Sequence, residues 1–283
     1  MNKVKIAGRE VLPIGLGTMN TGDKADTFDQ EVQAIRTGID NGVQLIDTAE
    51  MYGSGNAEKL VGSAIKPYSR EELFLISKVL PANASKKDLP ISLENSLRRL
   101  ETDYLDLYLL HWKEDIPLEE TVEALENARN QGKVKAWGVS NLDVDDLEQV
   151  IQLPGGENCK ANQVRYNVAN RGIEYDLMPM MAKHHMPVIA YSPIDRGDSF
   201  GADLTKQQVL KDIAKEHNAD VFQILLAWAI RNGKTIAIPQ SGNPDHVVNN
   251  MKAAEISLTE QDLKHINDVY PEPVSKQPLT LWQ

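Results

Sequence analysis

The chain has 283 residues, which is enough for one barrel-sized domain or for two smaller ones. Hydrophobic residues make up 41% and charged residues 25% of it, proportions that exclude a disordered, collagen-like or coiled-coil protein. The formal net charge of −11 argues against binding to nucleic acid or to an anionic membrane. These values are typical of a soluble globular protein.

Cysteine usage and hydropathy predict a cytoplasmic protein. The single cysteine, Cys159, cannot form an internal disulfide, and no Cys/His cluster has zinc-ligand spacing, so we predict no metal site. The segment Met1–Leu12 lacks the apolar core of a signal peptide. The longest apolar run, Ile224–Ile230, is far shorter than the roughly 20 residues that cross a bilayer. No linker-like stretch interrupts residues 1–283, so we predict one domain.

A unit of about 30 residues recurs along the chain: a short apolar run, a loop, and a stretch with helical periodicity, as in a βα unit. Both faces of most runs are apolar, which is typical of parallel strands covered by helices. The predicted strands are Ile14–Thr18, Val43–Asp47, Leu73–Lys78, Leu105–His111, Val134–Ser140, Ala161–Val164, Val188–Tyr191 and Thr235–Pro239. Eight such units predict a (β/α)8 TIM barrel, with an open doubly wound sheet as the alternative.

Three of the intervening segments have clear helical periodicity. They are Phe28–Asn41, Leu89–Leu100 and Leu118–Asn130, each with aliphatic side chains repeating along one face. Gly42 and Gly132 follow two of them at positions where a C-terminal cap is expected.

Both ends of the chain carry further features. Val4–Ile6 and Val11–Pro13 flank Ala7-Gly8-Arg9-Glu10, a pattern that predicts a β-hairpin closing the N-terminal end, or bottom, of the barrel. The tail from Pro271 to Gln283 contains three prolines, so we expect it to be non-helical and able to fold back over a pocket.

Several enzyme classes are disfavoured because their motifs are incomplete. Gly15-Leu16-Gly17 and Gly53-Ser54-Gly55 lack the third glycine of a dinucleotide fingerprint, and Gly138-Val139-Ser140-Asn141-Leu142 lacks the final glycine of a nucleophile elbow. The complete phosphate-loop motif Gly-x-x-x-x-Gly-Lys-Ser/Thr and a His-Glu-x-x-His are absent from the sequence. A Rossmann enzyme, a P-loop enzyme, a serine hydrolase and a zincin are therefore poor candidates.

Ionisable residues end three successive predicted strands: Asp47, Lys78 and His111. The C-terminal ends of barrel strands converge on one face, where active sites are built. Tyr52 lies five residues past Asp47 and can reach the same mouth. The sequence therefore predicts one site containing a carboxylate, an ammonium, an imidazole and a phenol.

These four groups suit the reduction of a carbonyl to an alcohol. The Lys78 cation is expected to stabilise the phenolate and lower the pKa of Tyr52, while Asp47 keeps Lys78 charged. Tyr52 can then give a proton to a substrate oxygen, and His111 can donate a hydrogen bond to that oxygen. No side chain supplies a hydride, so a nicotinamide cofactor is implied.

The chain resembles the aldo-keto reductases from end to end. The resemblance rests on short motifs in the family's order, namely Gly15-Leu16-Gly17-Thr18, Ile46-Asp47-Thr48-Ala49 with Tyr52-Gly53, Ser77-Lys78, Leu109-Leu110-His111-Trp112, Gly138-Val139-Ser140-Asn141, Gln163 and Ile238-Pro239-Gln240-Ser241. It implies a catalytic tetrad of Asp47, Tyr52, Lys78 and His111 with Tyr52 as general acid, a carbonyl substrate, NADPH across the barrel mouth, and a monomer.

The same resemblance implies which residues bind the cofactor and the substrate. Ser140, Asn141 and Gln163 would bind the nicotinamide amide, and Tyr191 would stack on its ring. The cofactor-binding set is Gly17, Thr18, Met19, Asp47, Ser140, Asn141, Gln163, Tyr191, Ser192, Pro193, Gln240, Ser241, Gly242, Asn243, His246, Asn249 and Asn250. The substrate pocket would contain Met19, Tyr52, His111 and Trp112, and Trp282 is a further candidate.

The sequence departs from the family pattern where the adenosine end of the cofactor would bind. Gln240 and His246 stand where the family often has lysine and arginine, cations that would pair with the 2′-phosphate of NADPH. We therefore expect NADPH to be preferred but NADH to be accepted. Met19 stands where many members have a pocket tryptophan, and Asn20 stands near a position where some members have a lysine.

Two other functions fit the same residues. Lys78 would be a Schiff-base nucleophile in an aldolase built on the same barrel, which requires a lysine without a close carboxylate. A non-catalytic, nucleotide-sensing subunit would keep the fold and bind cofactor without turnover, although the complete tetrad argues against it.

Overall fold

The computed structural model describes residues 2–195 and 203–280 of the chain. Eight strands form one parallel sheet in which each strand pairs with the next along the chain. They are β3 (Leu16–Gly17), β4 (Leu45–Asp47), β5 (Phe74–Val79), β6 (Leu105–Leu110), β7 (Val134–Ser140), β8 (Cys159–Arg165), β9 (Val188–Tyr191) and β10 (Thr235–Ala237). Parallel bridges Ile14–Ala237 and Gly17–Gln240 join the first strand to the last. The predicted barrel is confirmed, and the open sheet is wrong.

Helices cover the outside of this sheet. They are α1 (Phe28–Asp40), α2 (Asn56–Ile65), α3 (Leu89–Leu100), α4 (Leu118–Asn130), α5 (Val144–Gln152), α6 (Leu177–Lys183), α7 (Gln208–Glu216), α8 (Val221–Ile230), α9 (Pro244–Met251) and α10 (Glu260–Val269). The three predicted helices are present, with α1 ending one residue early because Asn41 is its C-cap. Both α7 and α8 lie between β9 and β10, which explains the longer interval before the last strand.

The N-terminal hairpin closes one end of the barrel, as predicted. Its strands are β1 (Val4–Ile6) and β2 (Arg9–Val11), and the buried side chains of Val4, Ile6 and Val11 join the apolar cluster inside the barrel. The turn consists of only Ala7 and Gly8, both with positive φ, so the predicted strand Val11–Pro13 is wrong by two residues at its start. Because this end is plugged, the opposite end is the one free to hold a site.

The described part of the tail, residues 271–280, is non-helical, as predicted. Lys276 Nζ lies 3.3 Å from Asp143 Oδ2 and 3.5 Å from Asp176 Oδ2, and the Gln277 side chain lies against Gly172. The tail therefore crosses the loops that follow β7 and β8, while Trp282 lies outside the described residues. In the described ranges, the helices are too short or too polar to cross a membrane.

Candidate active site

Three successive strands of the barrel and one turn bring the predicted tetrad to one end of the barrel. Asp47 is the last residue of β4, Lys78 lies near the end of β5, and His111 follows β6. Tyr52 begins a 3-10 turn, Tyr52–Gly55, in the loop after β4. The turn is tight because three of its residues have positive φ, which glycine tolerates at two of them. The C-terminal ends of these strands thus place the four side chains around one point.

Lys78 is the centre of the group. Its ammonium donates all three of its protons: to Asp47 Oδ2 at 2.7 Å, to the Thr48 carbonyl oxygen at 2.9 Å and to Tyr52 Oη at 3.1 Å. Lys78 is fully buried, and 2% of Asp47 and 9% of Tyr52 are exposed. Because the cation is held by three buried acceptors, it has one position, directly against the phenol oxygen.

Burial and the neighbouring opposite charges shift the pKa values of Lys78 and Tyr52 in opposite directions. Burial lowers the pKa of Lys78, but Asp47 and Tyr52 raise it by more, so the ammonium stays charged. Burial, together with the Asp47 carboxylate, raises the pKa of Tyr52 by more than Lys78 lowers it. The predicted net lowering of the Tyr52 pKa is therefore wrong in this structure, because the sequence could not show how completely the barrel encloses the phenol. A protonated Tyr52 is nevertheless the form that a general acid requires.

His111 is a neutral imidazole. Burial, followed by the neighbouring Lys78 cation, lowers its pKa to about 2. Its ring lies edge-on to Tyr52, with 5.8 Å between ring centroids, and 4.8 Å from the ring of Trp112. Nδ1 is buried and has no hydrogen-bond partner within the described ranges. A neutral imidazole carries one N–H, so His111 can be the hydrogen-bond donor that the sequence predicted.

The position of Asp47 rules out the aldolase alternative. A Schiff-base lysine must lose its proton to become a nucleophile. The carboxylate 2.7 Å from Nζ instead stabilises the charged form of Lys78. Lys78 therefore stays in its charged ammonium form.

A wall of polar side chains continues from the tetrad across β7, β8 and β9. Gln163 Nε2 donates to Asp47 Oδ1 at 2.7 Å, and Ser140 Oγ donates to the Gln163 carbonyl at 2.9 Å. Tyr191 Oη donates to Asn141 Oδ1 at 2.8 Å, and Asn141 Nδ2 donates to the His111 carbonyl at 3.2 Å. The predicted nicotinamide site and the tetrad are therefore one hydrogen-bonded network.

A cavity of about 620 Å³ opens over this network. Its lining consists of Gly17, Thr18, Met19, Asp47, Met51, Tyr52, His111, Trp112, Ser140, Asn141, Gln163, Tyr191, Ser192, Pro193, Ile194, Asp195, Ile238, Pro239 and Gln240. The predicted pocket residues Met19, Tyr52, His111 and Trp112 are all among them. Sequence reasoning did not assign five lining residues to the site, and their only signal was adjacency to the predicted Tyr52, Pro193 and Gln240. They are Met51, Ile194, Asp195, Ile238 and Pro239.

The remaining predicted cofactor residues lie outside the lining of this cavity: Ser241, Gly242, Asn243, His246, Asn249 and Asn250. Pro244 is the first residue of α9, and Asn243 caps the helix, its Oδ1 accepting the Asp245 N–H at 2.8 Å. The Asn249 side chain is bonded to Asp220 and Gln223 of the neighbouring helix segment. Asn243 and Asn249 therefore have structural partners, whereas His246 is exposed.

The comparisons with known proteins agree with this geometry. The model of the aldo/keto reductase family matches residues 13–271. Methylglyoxal reductase YeaE of Escherichia coli K12 is 45% identical over 98% of both chains, and glyoxal reductase of Bacillus subtilis is 32% identical over 92% of this chain and 89% of its own. The crystal structure of a Klebsiella pneumoniae aldo/keto reductase in complex with NADP and acetate superposes with a TM-score of 0.97, at 44% identity over 99% of each chain. Because the family model and these relatives match nearly the whole length, this chain belongs to the aldo/keto reductase family, and its reaction is the reduction of carbonyl groups.

Proposed function

We propose that this protein uses NADPH to reduce small uncharged aldehydes, methylglyoxal among them, with Tyr52 as the general acid. The observation that carries the proposal is the 3.1 Å hydrogen bond from Lys78 Nζ to a phenol oxygen that borders the cavity. In this bond the phenol oxygen is the acceptor, so the phenol hydrogen remains available for donation to a substrate.

The side chains divide the proton chemistry among them. Tyr52 donates its proton to the carbonyl oxygen, and Lys78 stabilises the phenolate that remains. Asp47 keeps Lys78 charged, and Gln163 holds the second oxygen of that carboxylate. His111 donates a hydrogen bond to the same carbonyl oxygen and orients it toward Tyr52. Bound NADPH supplies the hydride.

The wall beside the tetrad fits a nicotinamide. The half-buried ring of Tyr191 borders the cavity and is fixed by its bond to Asn141, so it offers a flat surface for stacking. Ser140, Asn141 and Gln163 present hydroxyl and amide groups beside it, which suits a carboxamide. A structural relative was crystallised in complex with NADPH. Gln240 and the exposed His246 offer less positive charge to a 2′-phosphate than lysine and arginine would, so NADH remains a weaker second cofactor.

The substrate end of the cavity favours small uncharged molecules. Met19, Met51, Trp112 and Ile194 form apolar parts of its lining. Its described lining residues include no lysine or arginine, whereas Asp195 brings a carboxylate that pairs with Arg165 at 2.6 Å. A substrate carboxylate would therefore have no cationic partner among the described lining residues, which costs affinity. The names of two relatives, a methylglyoxal reductase and a glyoxal reductase, support the same substrate class.

The test compares methylglyoxal with pyruvate, a three-carbon 2-oxo acid of similar size. Oxidation of NADPH is followed by absorbance, and we expect kcat/KM for methylglyoxal to exceed that for pyruvate by about 100-fold, equivalent to ~2.7 kcal/mol. The same assay with NADH gives the cofactor preference. Equal values for the two substrates would contradict the proposed selectivity, and failure to oxidise cofactor with any aldehyde or ketone would favour the non-catalytic alternative.

We also propose that the protein is a cytoplasmic monomer. The buried, unpaired thiol of Cys159 supports a reducing compartment. The exposed large apolar side chains are scattered over separate elements, at Met51, Ile91, Tyr175, Phe222, Val269 and Val274, which supports a monomer. Light scattering coupled to size exclusion tests the oligomeric state.

A further inference from the structure

A buried ion pair lies behind the Tyr52–Lys78 pair and takes no part in the proton steps described above. Glu58, in the first turn of α2, is fully buried. Its Oε2 accepts a hydrogen bond from Arg99 Nε of α3 at 2.6 Å, and its Oε1 accepts one from Ser77 Oγ of β5 at 2.5 Å. One carboxylate thus joins two helices and a strand.

Ser77 connects this carboxylate to the strand that carries Lys78. Successive side chains of a strand point to opposite faces, so Ser77 faces the helices while its neighbour Lys78 faces the barrel mouth. Ser77 is fully buried, and its hydroxyl has Glu58 as an acceptor. The Glu58 bond therefore fixes β5 one residue away from the ammonium.

Arg99 connects the same carboxylate to the turn that carries Tyr52. Gly55 ends that turn with φ of 88°, and a Cβ added to it would lie 2.6 Å from both Cδ and Nε of Arg99. The arginine side chain is thus packed directly against the Gly55 backbone, three residues from Tyr52. It cannot move toward the turn, and Glu58 prevents it from moving away.

We propose that Glu58, Arg99 and Ser77 are positioning residues that hold the Tyr52 phenol at hydrogen-bond distance from Lys78. The proposal rests on the proposed role of Tyr52 as general acid. The phenol and the ammonium come from different elements, and the Glu58 carboxylate is bonded to both supports at once. Since a displacement of about 1 Å can cost as much as 100-fold in rate, losing this link lowers the rate of proton donation without removing any reacting group.

The turn has a second anchor, so it keeps its fold when the first is weakened. Glu50 Oε1 accepts the Leu80 N–H at 2.7 Å and Asn83 Nδ2 at 3.0 Å, which ties the start of the loop to the end of β5. Variants at Glu58 therefore test the position of Tyr52 rather than the existence of the loop.

The experiment is Glu58→Gln, which keeps the shape of the side chain and removes its charge. We expect kcat with methylglyoxal to fall about tenfold, with KM and the NADPH dissociation constant changed less than about twofold. The solvent deuterium isotope effect on kcat should rise, because proton donation by a displaced Tyr52 becomes slower. The pair Arg99→Ala and Arg99→Lys adds a rescue test, since lysine can keep the ion pair and should retain more activity than alanine.

Glu174→Gln is the matched control. Glu174 also bonds an arginine from another element, Arg231, at 2.8 Å, but lies away from the cavity lining. We expect it to lower the melting temperature while leaving kcat and the isotope effect unchanged. If Glu58→Gln does not fold, Ser77→Ala is measured against the same criteria.

The outcomes separate this proposal from the one on which it rests. Wild-type kcat and isotope effect in Glu58→Gln, together with an inactive Tyr52→Phe, would overturn the positioning role and leave Tyr52 as the acid. Equal losses of kcat in Glu58→Gln and Glu174→Gln would also overturn it, since the effect would then be general destabilisation. An active Tyr52→Phe would instead reject the proposed function itself.

Discussion

The molecule contains the same three kinds of group, a tyrosine, a carboxylate and a cation, in two different regions. The two sets are Tyr52, Asp47 and Lys78 at the barrel mouth, and Tyr166, Glu174 and Arg231 beside α8. Both tyrosines are buried, and burial is the largest cause of the raised pKa of each. Burial and composition therefore do not distinguish a reactive tyrosine from a structural one.

The direction of the hydrogen bonds at the phenol oxygen distinguishes the two tyrosines. Beside α8, Tyr166 Oη donates to Glu174 Oε1 at 2.5 Å and accepts from Arg231 Nη1 at 2.8 Å, so its proton already has an acceptor. At the mouth, Tyr52 Oη accepts from Lys78 and donates to none of the described residues. The proton of Tyr52 is available to the cavity, while that of Tyr166 is held inside the protein.

The position of the cation determines these hydrogen-bond directions. Lys78 lies between Asp47 and Tyr52, so the carboxylate acts on the lysine rather than accepting the phenol proton. Arg231 has several donors in a rigid plane and reaches both Tyr166 and Glu174, which leaves those two groups free to bond each other. A tyrosine beside a carboxylate and a cation becomes an acid only when the cation separates it from the carboxylate.

The largest expected difference between the two regions follows from removing each cation. Lys78→Met removes the stabilisation of the phenolate and leaves Asp47 buried without its ion pair, so we expect kcat to fall by at least about 1,000-fold. Arg231→Met should instead lower the free energy of unfolding, by about 3 kcal/mol, because it leaves Glu174 partly unpaired. Steady-state kinetics and urea unfolding on both variants measure the two effects.

The comparison fails if Arg231→Met loses activity as Lys78→Met is expected to, or if Lys78→Met keeps its activity. A kcat for Arg231→Met reduced as far as that of Lys78→Met would show that the α8 region also contributes to turnover. A Lys78→Met enzyme with most of its activity would show that Tyr52 does not need the cation.

Mild acid should reduce the stability contributed by His111 at the barrel mouth but not that contributed by Glu174 beside α8. His111 has a pKa of about 2 in the folded protein against a reference value of 6.5, so the unfolded chain binds more protons between these values. Its contribution to stability is complete above about pH 6.5 and is lost as the pH falls, by about 2 kcal/mol at about pH 5. Hydrogen bonds from Tyr166 and two arginines lower the pKa of Glu174 below 4.5 despite its burial, so its contribution is retained in that range.

Urea unfolding at about pH 7 and about pH 5, in wild type and in His111→Gln, isolates this effect. The wild type should lose about 2 kcal/mol more than the variant between the two values, and kcat should show no ionisation near 6.5. An equal loss in both proteins would indicate that His111 is already charged or exposed in the folded state.

Much of the fold could be predicted because its signals are local. Each βα unit carries its own apolar run and helical period, and Asp47, Lys78 and His111 mark strand ends without reference to the rest of the chain. The hairpin turn was misplaced because Ala7 takes a positive φ, a conformation that its sequence does not signal.

The parts of the site that could not be predicted depend on contacts between distant residues. The bond from Gln163 to Asp47 joins residues 116 positions apart, and the Glu58 carboxylate bonds Ser77 and Arg99 from two other elements. The pKa of Tyr52 was predicted in the wrong direction because the charge of Lys78 is visible in the sequence, whereas the burial that outweighs it arises only when the barrel closes.

The most direct test measures the chemical step with cofactor already bound. Enzyme saturated with NADPH is mixed with methylglyoxal in a stopped-flow instrument, and the single-turnover loss of NADPH absorbance is compared in wild type, Tyr52→Phe and Tyr166→Phe. We predict that Tyr52→Phe binds NADPH normally but transfers hydride about 100- to 10,000-fold more slowly, while Tyr166→Phe matches the wild type. Hydride transfer at the wild-type rate in Tyr52→Phe, or an equal slowing in both variants, would contradict the account.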